Sequence, residues 1–420
     1  MSPQPKAPAT WTTGVVILGN IFVWYDFIIY GFFATSIAEA FFPAKDERVA
    51  LLATFAAFGV GYILRPLGAI VLGLVGDRKG RKTALLLSTA LMAVGTAMTG
   101  VLPSYQALGI LAPCLLVVAR LIQGFAVGGS WGSSATYLVE TAPEKKRGLY
   151  GSFQQVTQVA GLVLGSGIHS VLSAALSAPA LQTWGWRVPF LVGILIAPIS
   201  YYMRRSIPET PIYLHKAEAG RPNQPNVHIA KTVQAFGLSI AWVATSYMFL
   251  IYMPTLAAKY FGFDAIVVSW SNTVGLLMML CAIPICGLVS DYVGRKPQLL
   301  VGCLLFFVLP VPIYSLIIAW HSIELMFIAQ LFFAVAVALF SGPGPAASVE
   351  IFDSSRRVSG VSIANSFASI IFGGFSPFIA TWLILETSSP IAPFYYVMFT
   401  CLVSGIVIFK LPETAHKDLG

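Results

Sequence analysis

The chain has 420 residues, of which 57% are hydrophobic and 10% charged, with a formal net charge of +8 and a mean hydropathy of +0.80. Soluble domains carry about 25% charged residues, so this composition excludes a water-soluble globular protein and indicates an integral membrane protein. The basic residues lie in short clusters between apolar runs, which argues against a nucleic-acid-binding surface. None of the five cysteines has a CxxC or His-paired spacing, and no metal site is predicted.

Apolar runs long enough to cross a membrane follow one another along the whole chain. A spanning helix needs about 20 mainly apolar residues. Twelve such runs can be drawn, at residues 13–38, 50–76, 83–101, 107–139, 149–175, 187–203, 235–259, 266–290, 298–320, 324–348, 358–384 and 391–410. The pattern predicts an all-α membrane protein with a six-helix bundle at 1–203, a polar linker at 204–234 and a second six-helix bundle at 235–420. Residues 1–10 lack a cleavage site, so the first run is expected to be a retained helix.

The distribution of Lys and Arg predicts the orientation of the chain. Short loops rich in these residues face the cytoplasm. Placing the amino terminus inside puts DRKGRK (77–82), EKKR (144–147), the linker, GRK (294–296) and the pair Arg356-Arg357 on the cytoplasmic side. Both termini are therefore expected to be cytoplasmic.

Three landmarks recur in the same order in the two halves. GLVGDRKGRK at 73–82 returns as GLVSDYVGRK at 287–296, and Glu140 to Arg147 is echoed by Glu350 to Arg357. PET at 208–210 returns as PET at 412–414, after the last helix of each half. Such matched landmarks indicate one duplicated six-helix unit.

These residues resemble the signature of the major facilitator superfamily of secondary transporters. The signature loop G-x-x-x-D-R-x-G-R-[RK] is matched over 73–82, and most of it is kept over 287–296. Within that superfamily, segments such as WYDFIIYGFFA and WGWRVPFLVG look most like the metabolite:proton symporters. GFFATSIAEAFFP and FLIYMPTLA are most similar to the citrate and tricarballylate carriers.

The resemblance implies a gating role for the repeated loops. A carboxylate at a helix end can pair with arginines and with helix termini of the other half, and so hold one gate state. A solvated loop that only sets the topology is the alternative. The gating residues expected on this basis are Gly73, Asp77, Arg78, Gly80, Arg81, Asp291, Gly294, Arg295, Glu140, Arg147, Glu350 and Arg357.

Two acidic residues that are usual in the family are missing. Val23 stands where the family usually has Glu before WYD, and Ser130 replaces a second Glu in GGSWG. A coupling scheme that needs those carboxylates cannot operate here.

Three charged residues fall within the predicted helices. Asp26 lies near the middle of the first helix, Arg120 near the middle of the fourth, and Arg65 in the second. Because a charge at mid-membrane is costly, such residues are functional candidates. We expect Asp26 to carry the coupling proton under the influence of Arg120, which an anionic substrate would engage. A permanent structural ion pair is the alternative, and Arg65 is assigned equally to substrate contact or to a structural role.

Neutral polar residues complete the predicted cavity. In this fold helices 5, 8 and 11 usually contribute to it, although hydrogen bonding between helices is as good an account of each residue alone. The candidates are Gln154, Gln158, Tyr247, Tyr252, Asn272, Asn365 and Ser366. His169, toward the outer end of the fifth helix, is expected to be packed or solvated, and a proton relay is its alternative role.

The balance of charged residues within the predicted helices predicts the substrate class. Two arginines against one aspartate leave the cavity positive, which favours a small organic anion, with di- or tricarboxylates such as citrate first. A zwitterion such as proline or a betaine would require a second carboxylate or an aromatic cage in the protein to bind its cationic group. An exporter on the same fold is a further alternative. No enzyme motif and no ring of polar residues typical of a channel is found, so no cofactor is expected besides the coupling proton, and a monomer in the bacterial inner membrane is predicted.

Overall fold

The computed structural model describes residues 9–42, 59–218, 228–415, 417 and 419. In these ranges every regular element is helical, and ten helices are long and apolar enough to cross a membrane. This architecture confirms the all-α membrane fold. Residues 50–58, where the second predicted helix begins, and 219–227 of the predicted linker lie outside the described ranges.

The main helices of the described residues, which include two that are not among those ten, follow the predicted runs. In the first half they are α1 (Ala9–Phe32), α2 (Arg65–Lys79), α3 (Arg81–Val101), α4 (Leu111–Glu140), α5 (Arg147–Ala175) and α6 (Val188–Ser206). In the second half they are α7 (Ile229–Lys259), α8 (Ala265–Val293), α9 (Arg295–Trp320), α10 (Ile323–Glu350), α11 (Ser354–Thr387) and α12 (Ala392–Lys410). Short helices lie at Ala34–Phe41, Tyr105–Leu108, Ala178–Thr183 and Pro211–Glu218, the last within the predicted linker.

The chain forms two compact units. Unit 1 comprises residues 1–141, 157–226 and 354–363, and unit 2 comprises 142–156, 227–353 and 364–420. The beginning of α5 thus belongs to unit 2 and the beginning of α11 to unit 1. The predicted division at the 204–234 linker remains a prediction about the sequence halves.

In unit 1, glycines let α4 cross very close to α2 and to the helical turn at 59–63 that precedes it. A Cβ at Gly124 would lie 1.6 Å from the Gly61 carbonyl oxygen, and one at Gly128 would lie 2.1 Å from the Arg65 carbonyl oxygen. Small residues four positions apart permit this backbone approach in membranes. The crossing brings the beginning of α2 alongside the middle of α4, and so places two of the predicted charged residues near each other.

In unit 2, two of the long helices contain a wider turn. A π-helical segment covers Tyr247–Tyr252 in α7, and another covers Ser369–Gly374 in α11. A Cβ at Gly373 would lie 2.8 Å from the ring of Tyr247, so the two segments pack directly against each other. π-segments free backbone carbonyls from their usual partners and are frequent at functional sites.

Candidate functional site

Two arginine side chains of unit 1 meet at one aromatic ring. The guanidinium carbons of Arg65 and Arg120 lie 4.9 and 4.8 Å from the ring centre of Phe27 on α1. Arg65 is 4% exposed and Arg120 is fully buried. Such cation–π contacts stabilise a buried guanidinium but leave its positive charge in place.

Arg65 is surrounded by aromatic side chains. Its guanidinium lies 4.4 Å from the ring of Tyr62 and 5.7 Å from that of Trp24, and its Nε has no hydrogen-bond partner. No carboxylate among the described residues forms an ion pair with it. The site therefore holds a buried cation without an acidic counter-ion in the described part of the chain.

Arg120 is held by polar atoms of α1 and of its own helix. Its Nη1 donates to Oε1 of Gln123 at 2.5 Å, and its Nη2 donates to the Phe27 carbonyl at 3.4 Å. Its guanidinium also lies 4.5 Å from the ring of Tyr30. These contacts fix the orientation of the side chain toward α1.

Asp26 and Arg120 form no ion pair with each other in the structure, although a structural ion pair was the alternative role considered for them. Asp26 is 5% exposed and lies beside Thr96 of α3 and Gly193 of α6, because a Cβ at Gly193 would be 2.6 Å from Asp26 Oδ1 and 2.9 Å from Thr96 Cγ2. It forms no ion pair with a described residue. Successive residues of a helix point about 100° apart. Since Phe27 faces Arg120, the neighbouring Asp26 is turned toward α3 and α6. The roles of Asp26 and Arg120 in proton coupling remain predictions.

One predicted cavity residue of unit 2, Asn272, is held by hydrogen bonds to neighbouring helices. Asn272 donates to the Leu250 carbonyl in the π-segment of α7 at 3.2 Å, and its Oδ1 accepts from Gln330 at 2.8 Å. Gln330 also donates to the Phe249 carbonyl at 2.8 Å. The two amides therefore satisfy carbonyls that the π-segment exposes, and Gln330 was not predicted.

The other polar candidates are spread over both units. Tyr252 hydrogen-bonds to Thr381 at 2.8 Å, and Asn365 accepts from Ser369 at 3.5 Å. The buried candidates are Gln154 and Ser366, and the half-buried ones are Gln158 and Tyr247. Gln158 belongs to unit 1 and the remaining members of the set to unit 2. A direct role of these residues in substrate binding remains a prediction.

His169 packs against aromatic rings near the carboxyl-terminal end of α5. Its imidazole centre lies 5.0 Å from the ring of Phe33 and 6.1 Å from that of Phe32. Packing of this kind is one of the two environments expected for His169, and its role as a proton relay stays an untested alternative.

The loop at residues 73–82 in unit 1 is hydrogen-bonded to the beginning of α11. The carboxylate of Asp77 accepts hydrogen bonds from the backbone N–H groups of Val358 and Ser359, both at 3.0 Å, and from the Ser359 hydroxyl at 2.6 Å. A Cβ at Gly73 would lie 2.7 Å from the Ser359 Cα. The carboxylate thus caps a helix amino terminus, where a negative charge is stabilised. Arg78 of the same loop is exposed, and its carbonyl accepts from Tyr213 at 2.8 Å.

Beside this cap lies a buried ion cluster. Glu140 accepts two hydrogen bonds from Arg81, both at 3.0 Å, and one from Arg357 at 2.7 Å. The Thr210 hydroxyl donates to the same carboxylate at 2.6 Å. One carboxylate therefore joins the arginine of the signature loop to the first residues of α11.

Unit 2 repeats the arrangement at the beginning of α5. Asp291 accepts from the N–H groups of Gly148 at 2.8 Å and Leu149 at 3.0 Å. Arg295 lies 2.9 Å from Asp291 and 3.2 Å from Glu350. Arg147 begins α5, and its Nη1 donates to the Lys417 carbonyl at 2.5 Å. The sequence repeat is thus also a repeat of contacts.

The glutamate of each PET segment caps the helix that follows the loop glycine. Glu209 accepts from the N–H groups of Arg81 and Lys82, and Glu413 from those of Arg295 and Lys296. The PET repeat is visible in the sequence, but this capping role of its glutamates was not predicted.

The loop glycines are needed for this cap. Gly80 has φ +103° and Gly294 has φ +106°, a region that L side chains rarely adopt. A Cβ there would lie 2.1 Å from the Glu209 carboxylate and 2.6 Å from that of Glu413. The glycines therefore allow both the turn and the approach of the capping acid.

The two capping acids differ in their pKa. Burial raises the pKa of Glu209 above its usual range, and its hydrogen bonds offset this only in part. Burial acts in the same direction on Glu413, but four backbone N–H groups outweigh it and hold the pKa of that carboxyl below its usual range. Glu413 is therefore the more firmly ionised of the pair.

Family models match both halves of the chain. Residues 12–221 match the model described as "Sugar (and other) transporter", and residues 235–420 match "Major Facilitator Superfamily". Together the two matches cover nearly the whole sequence.

Similar curated proteins include bacterial transporters of two kinds. The citrate-proton symporter of Klebsiella pneumoniae is 34% identical, with 92% of this chain and 88% of that protein covered. The proline/betaine transporter of Escherichia coli (strain K12) is 32% identical, with 96% of this chain and 83% of that protein covered. The glycine betaine/proline/ectoine/pipecolic acid transporter of Dickeya dadantii is also 32% identical, over the same shares.

Among solved structures, the proton:xylose symporter XylE bound to 6-bromo-6-deoxy-D-glucose is similar in fold. Its TM-score is 0.83 at 19% identity, with 98% of this chain and 97% of that chain covered.

Proposed function

Because the chain belongs to the major facilitator superfamily, whose members are transporters, we propose that it is a proton-coupled symporter of a small organic anion, with di- or tricarboxylates such as citrate as the substrate class. It is a multi-pass membrane protein. We place it in the bacterial inner membrane with both termini cytoplasmic, as a monomer. The proton is the coupling ion, and no cofactor is needed.

The observation that carries this proposal is the pair of buried arginines at Phe27. Two guanidiniums on one ring form a strongly positive patch, and Arg65 has no carboxylate counter-ion among the described residues. Arginine binds carboxylates through paired N–H donors. A substrate with two or three carboxylates would supply the negative charge that this patch lacks.

The same geometry disfavours a zwitterion with a quaternary ammonium group. Such a ligand is recognised by an aromatic cage. In unit 1 the rings of Trp24, Phe27 and Tyr62 already surround the guanidinium of Arg65. A betaine at this site would therefore have to displace an arginine from its aromatic neighbours.

Transport by this fold requires that the gate exchange between two states. We assign the helix caps of Asp77 and Asp291, with the ion clusters around Glu140 and Glu350, to the gate. These contacts are polar and hydrogen-bonded, so they can break when water enters and form again when it leaves. Asp26 is assigned to proton binding and Arg120 to the substrate.

A ligand panel on the purified full-length protein tests the proposal. Only compounds that bind the folded state raise its melting temperature. Citrate, tricarballylate and a dicarboxylate should raise it, whereas proline and glycine betaine should leave it unchanged. If only the zwitterions stabilise the protein, the anion assignment is wrong.

Arginine variants locate the binding site. Loss of a charged hydrogen bond costs roughly 1.5–3 kcal/mol, so Arg65→Ala and Arg120→Ala should each weaken citrate binding by about 10- to 150-fold. Arg187→Ala is the matched control, because Arg187 makes a similar cation–π contact, with Trp186 at 4.2 Å, away from this patch. Equal affinities in all three variants would contradict the assignment.

A further inference from the structure

A chain of polar side chains runs from Arg120 to Asp26, although the two charges do not touch. Arg120 donates to Oε1 of Gln123 at 2.5 Å, and Nε2 of Gln123 donates to the Thr96 hydroxyl oxygen at 3.1 Å. The Thr96 side chain in turn lies beside the Asp26 carboxylate, since a Cβ at Gly193 of α6 would be 2.9 Å from Thr96 Cγ2 and 2.6 Å from Asp26 Oδ1, and its hydroxyl is within reach to donate to that carboxylate. Gln123 is fully buried and so is Thr96.

The direction of this chain is fixed by chemistry. A guanidinium can only donate, so the amide of Gln123 must turn its oxygen toward Arg120 and its NH₂ group toward Thr96. The hydroxyl oxygen then accepts from Gln123, and its own hydrogen is left to donate to Asp26. Every donor points from the cation to the carboxylate, which is the arrangement that supports an ionised Asp26.

The carboxylate also has an atom available for a proton. Oδ1 of Asp26 has no hydrogen-bond partner and faces a small cavity between α1, α3 and α6. Gly193 on α6 leaves room there, since a Cβ at this position would lie 2.6 Å from Oδ1. Apart from Thr89, Ser200 and Asp26 itself, the lining is apolar.

We propose that Thr96 and Gln123 are positioning residues that couple protonation of Asp26 at Oδ1 to the state of Arg120. When an anion takes the guanidinium, Gln123 loses its partner, and its amide no longer holds the Thr96 hydroxyl in the donating orientation. The carboxylate then loses support for its ionised form and takes up a proton. The inference rests on the proposed symport for its use, but the hydrogen-bond chain can be tested without substrate.

Other groups around Asp26 do not provide this link. On α1 itself, the Tyr25 hydroxyl donates to the Pro189 carbonyl at 3.1 Å. From α3 the facing polar groups are Thr96 and Thr89, from α6 the Ser200 hydroxyl, and from α4 Arg120 through Gln123. Asp26 is the one titratable group among the residues that line the cavity.

Infrared titration of the full-length protein tests the inference. The C=O band of protonated Asp26 is assigned by its loss in Asp26→Asn, and its midpoint is followed against pH without substrate. Thr96→Val keeps the shape but removes the hydroxyl, and should shift the midpoint by about 0.7 pH unit. Thr96→Ser should return it to the wild-type value.

Thr99→Val is the matched control, because this buried threonine of the same helix bonds only to the Gly95 carbonyl, at 2.9 Å. Its midpoint should equal that of the wild type. If Thr96→Val does not fold, Gln123→Met, which breaks the chain at its other member, should give the corresponding shift. Midpoints equal to the Thr99→Val value in the variants that fold would overturn the inference.

Added citrate separates this inference from the proposed function. In the wild type, citrate should shift the Asp26 midpoint, and in Thr96→Val it should bind but no longer shift it. If citrate does not bind the wild type, the substrate assignment fails. The midpoint shift measured without substrate still tests whether Thr96 and Gln123 act on Asp26. A citrate-induced shift that persists fully in Thr96→Val would overturn the coupling role.

Discussion

The most demanding prediction concerns Glu140→Gln. The carboxylate of Glu140 is fully buried and receives three hydrogen bonds from guanidiniums, two from Arg81 and one from Arg357. A carboxamide keeps one acceptor oxygen and replaces the other by an NH₂ group. That group would face an N–H donor of Arg81 or the Thr210 hydroxyl, and two buried guanidiniums would lose their counter-charge.

The magnitude follows from these contacts. Removing one partner of a buried ion pair costs about 3–5 kcal/mol, because the remaining charge is left uncompensated. For a unit of this size each kcal/mol lowers the melting temperature by about 2–4 °C, so a fall on the order of 10 °C is expected. Thermal unfolding of the full-length protein in detergent, followed by circular dichroism, measures it.

Glu144→Gln is the matched control for this prediction. Glu144→Gln makes the same chemical change four residues away, at an exposed position, and should alter the melting temperature by less than about 1 °C. If both variants have the melting temperature of the wild type, the cluster around Glu140 does not stabilise unit 1. The reasoning from the contacts of Glu140 would then be wrong.

Three further predictions concern single sites. Asp77→Asn should weaken the cap on α11 and shift the balance of gate states, which cysteine-accessibility labelling on the two membrane sides would reveal; an unchanged pattern with normal transport would leave the loop as a topology marker only. Glu413→Ala should cost roughly 0.5–2 kcal/mol of stability near pH 7, whereas Glu386→Ala, at an exposed acid, should not. Since the pKa of Glu413 is lowered, this stabilisation is present above its ordinary value of 4.5 and is lost as the pH falls through the lowered value, and a difference that persists in acid would contradict the assignment. Gly193→Ala should press a methyl group onto Oδ1 of Asp26 and reduce proton-driven uptake more than substrate exchange, and equal effects on both would argue against it.

Much of the fold follows from the sequence because it depends on local composition. The apolar runs predict the long helices, and the two copies of the signature loop make equivalent contacts at Asp77 and Asp291. The positions of Arg65 and Arg120 within helices also follow from the pattern. Those features are set by residue type and spacing along the chain.

The pairing of side chains depends on how each helix is rotated, which the sequence leaves open. Asp26 and Phe27 are neighbours, yet one faces α3 and the other faces Arg120. Gln123 stands three residues after Arg120, a spacing that could have suggested contact. Nothing in the sequence distinguishes Thr96 from other threonines of α3, because its proximity to Asp26 appears only when α1 packs against α3.

Uptake by proteoliposomes tests the central claim most directly. Purified wild-type protein and Asp26→Asn are compared for citrate accumulation under an imposed pH gradient, acidic outside, and for exchange of labelled against unlabelled citrate without a gradient. The account predicts that the wild type does both, and that Asp26→Asn, which cannot ionise, exchanges citrate but does not accumulate it. Gradient-driven accumulation by Asp26→Asn at the wild-type level, or the absence of any citrate movement by the wild type, would contradict it.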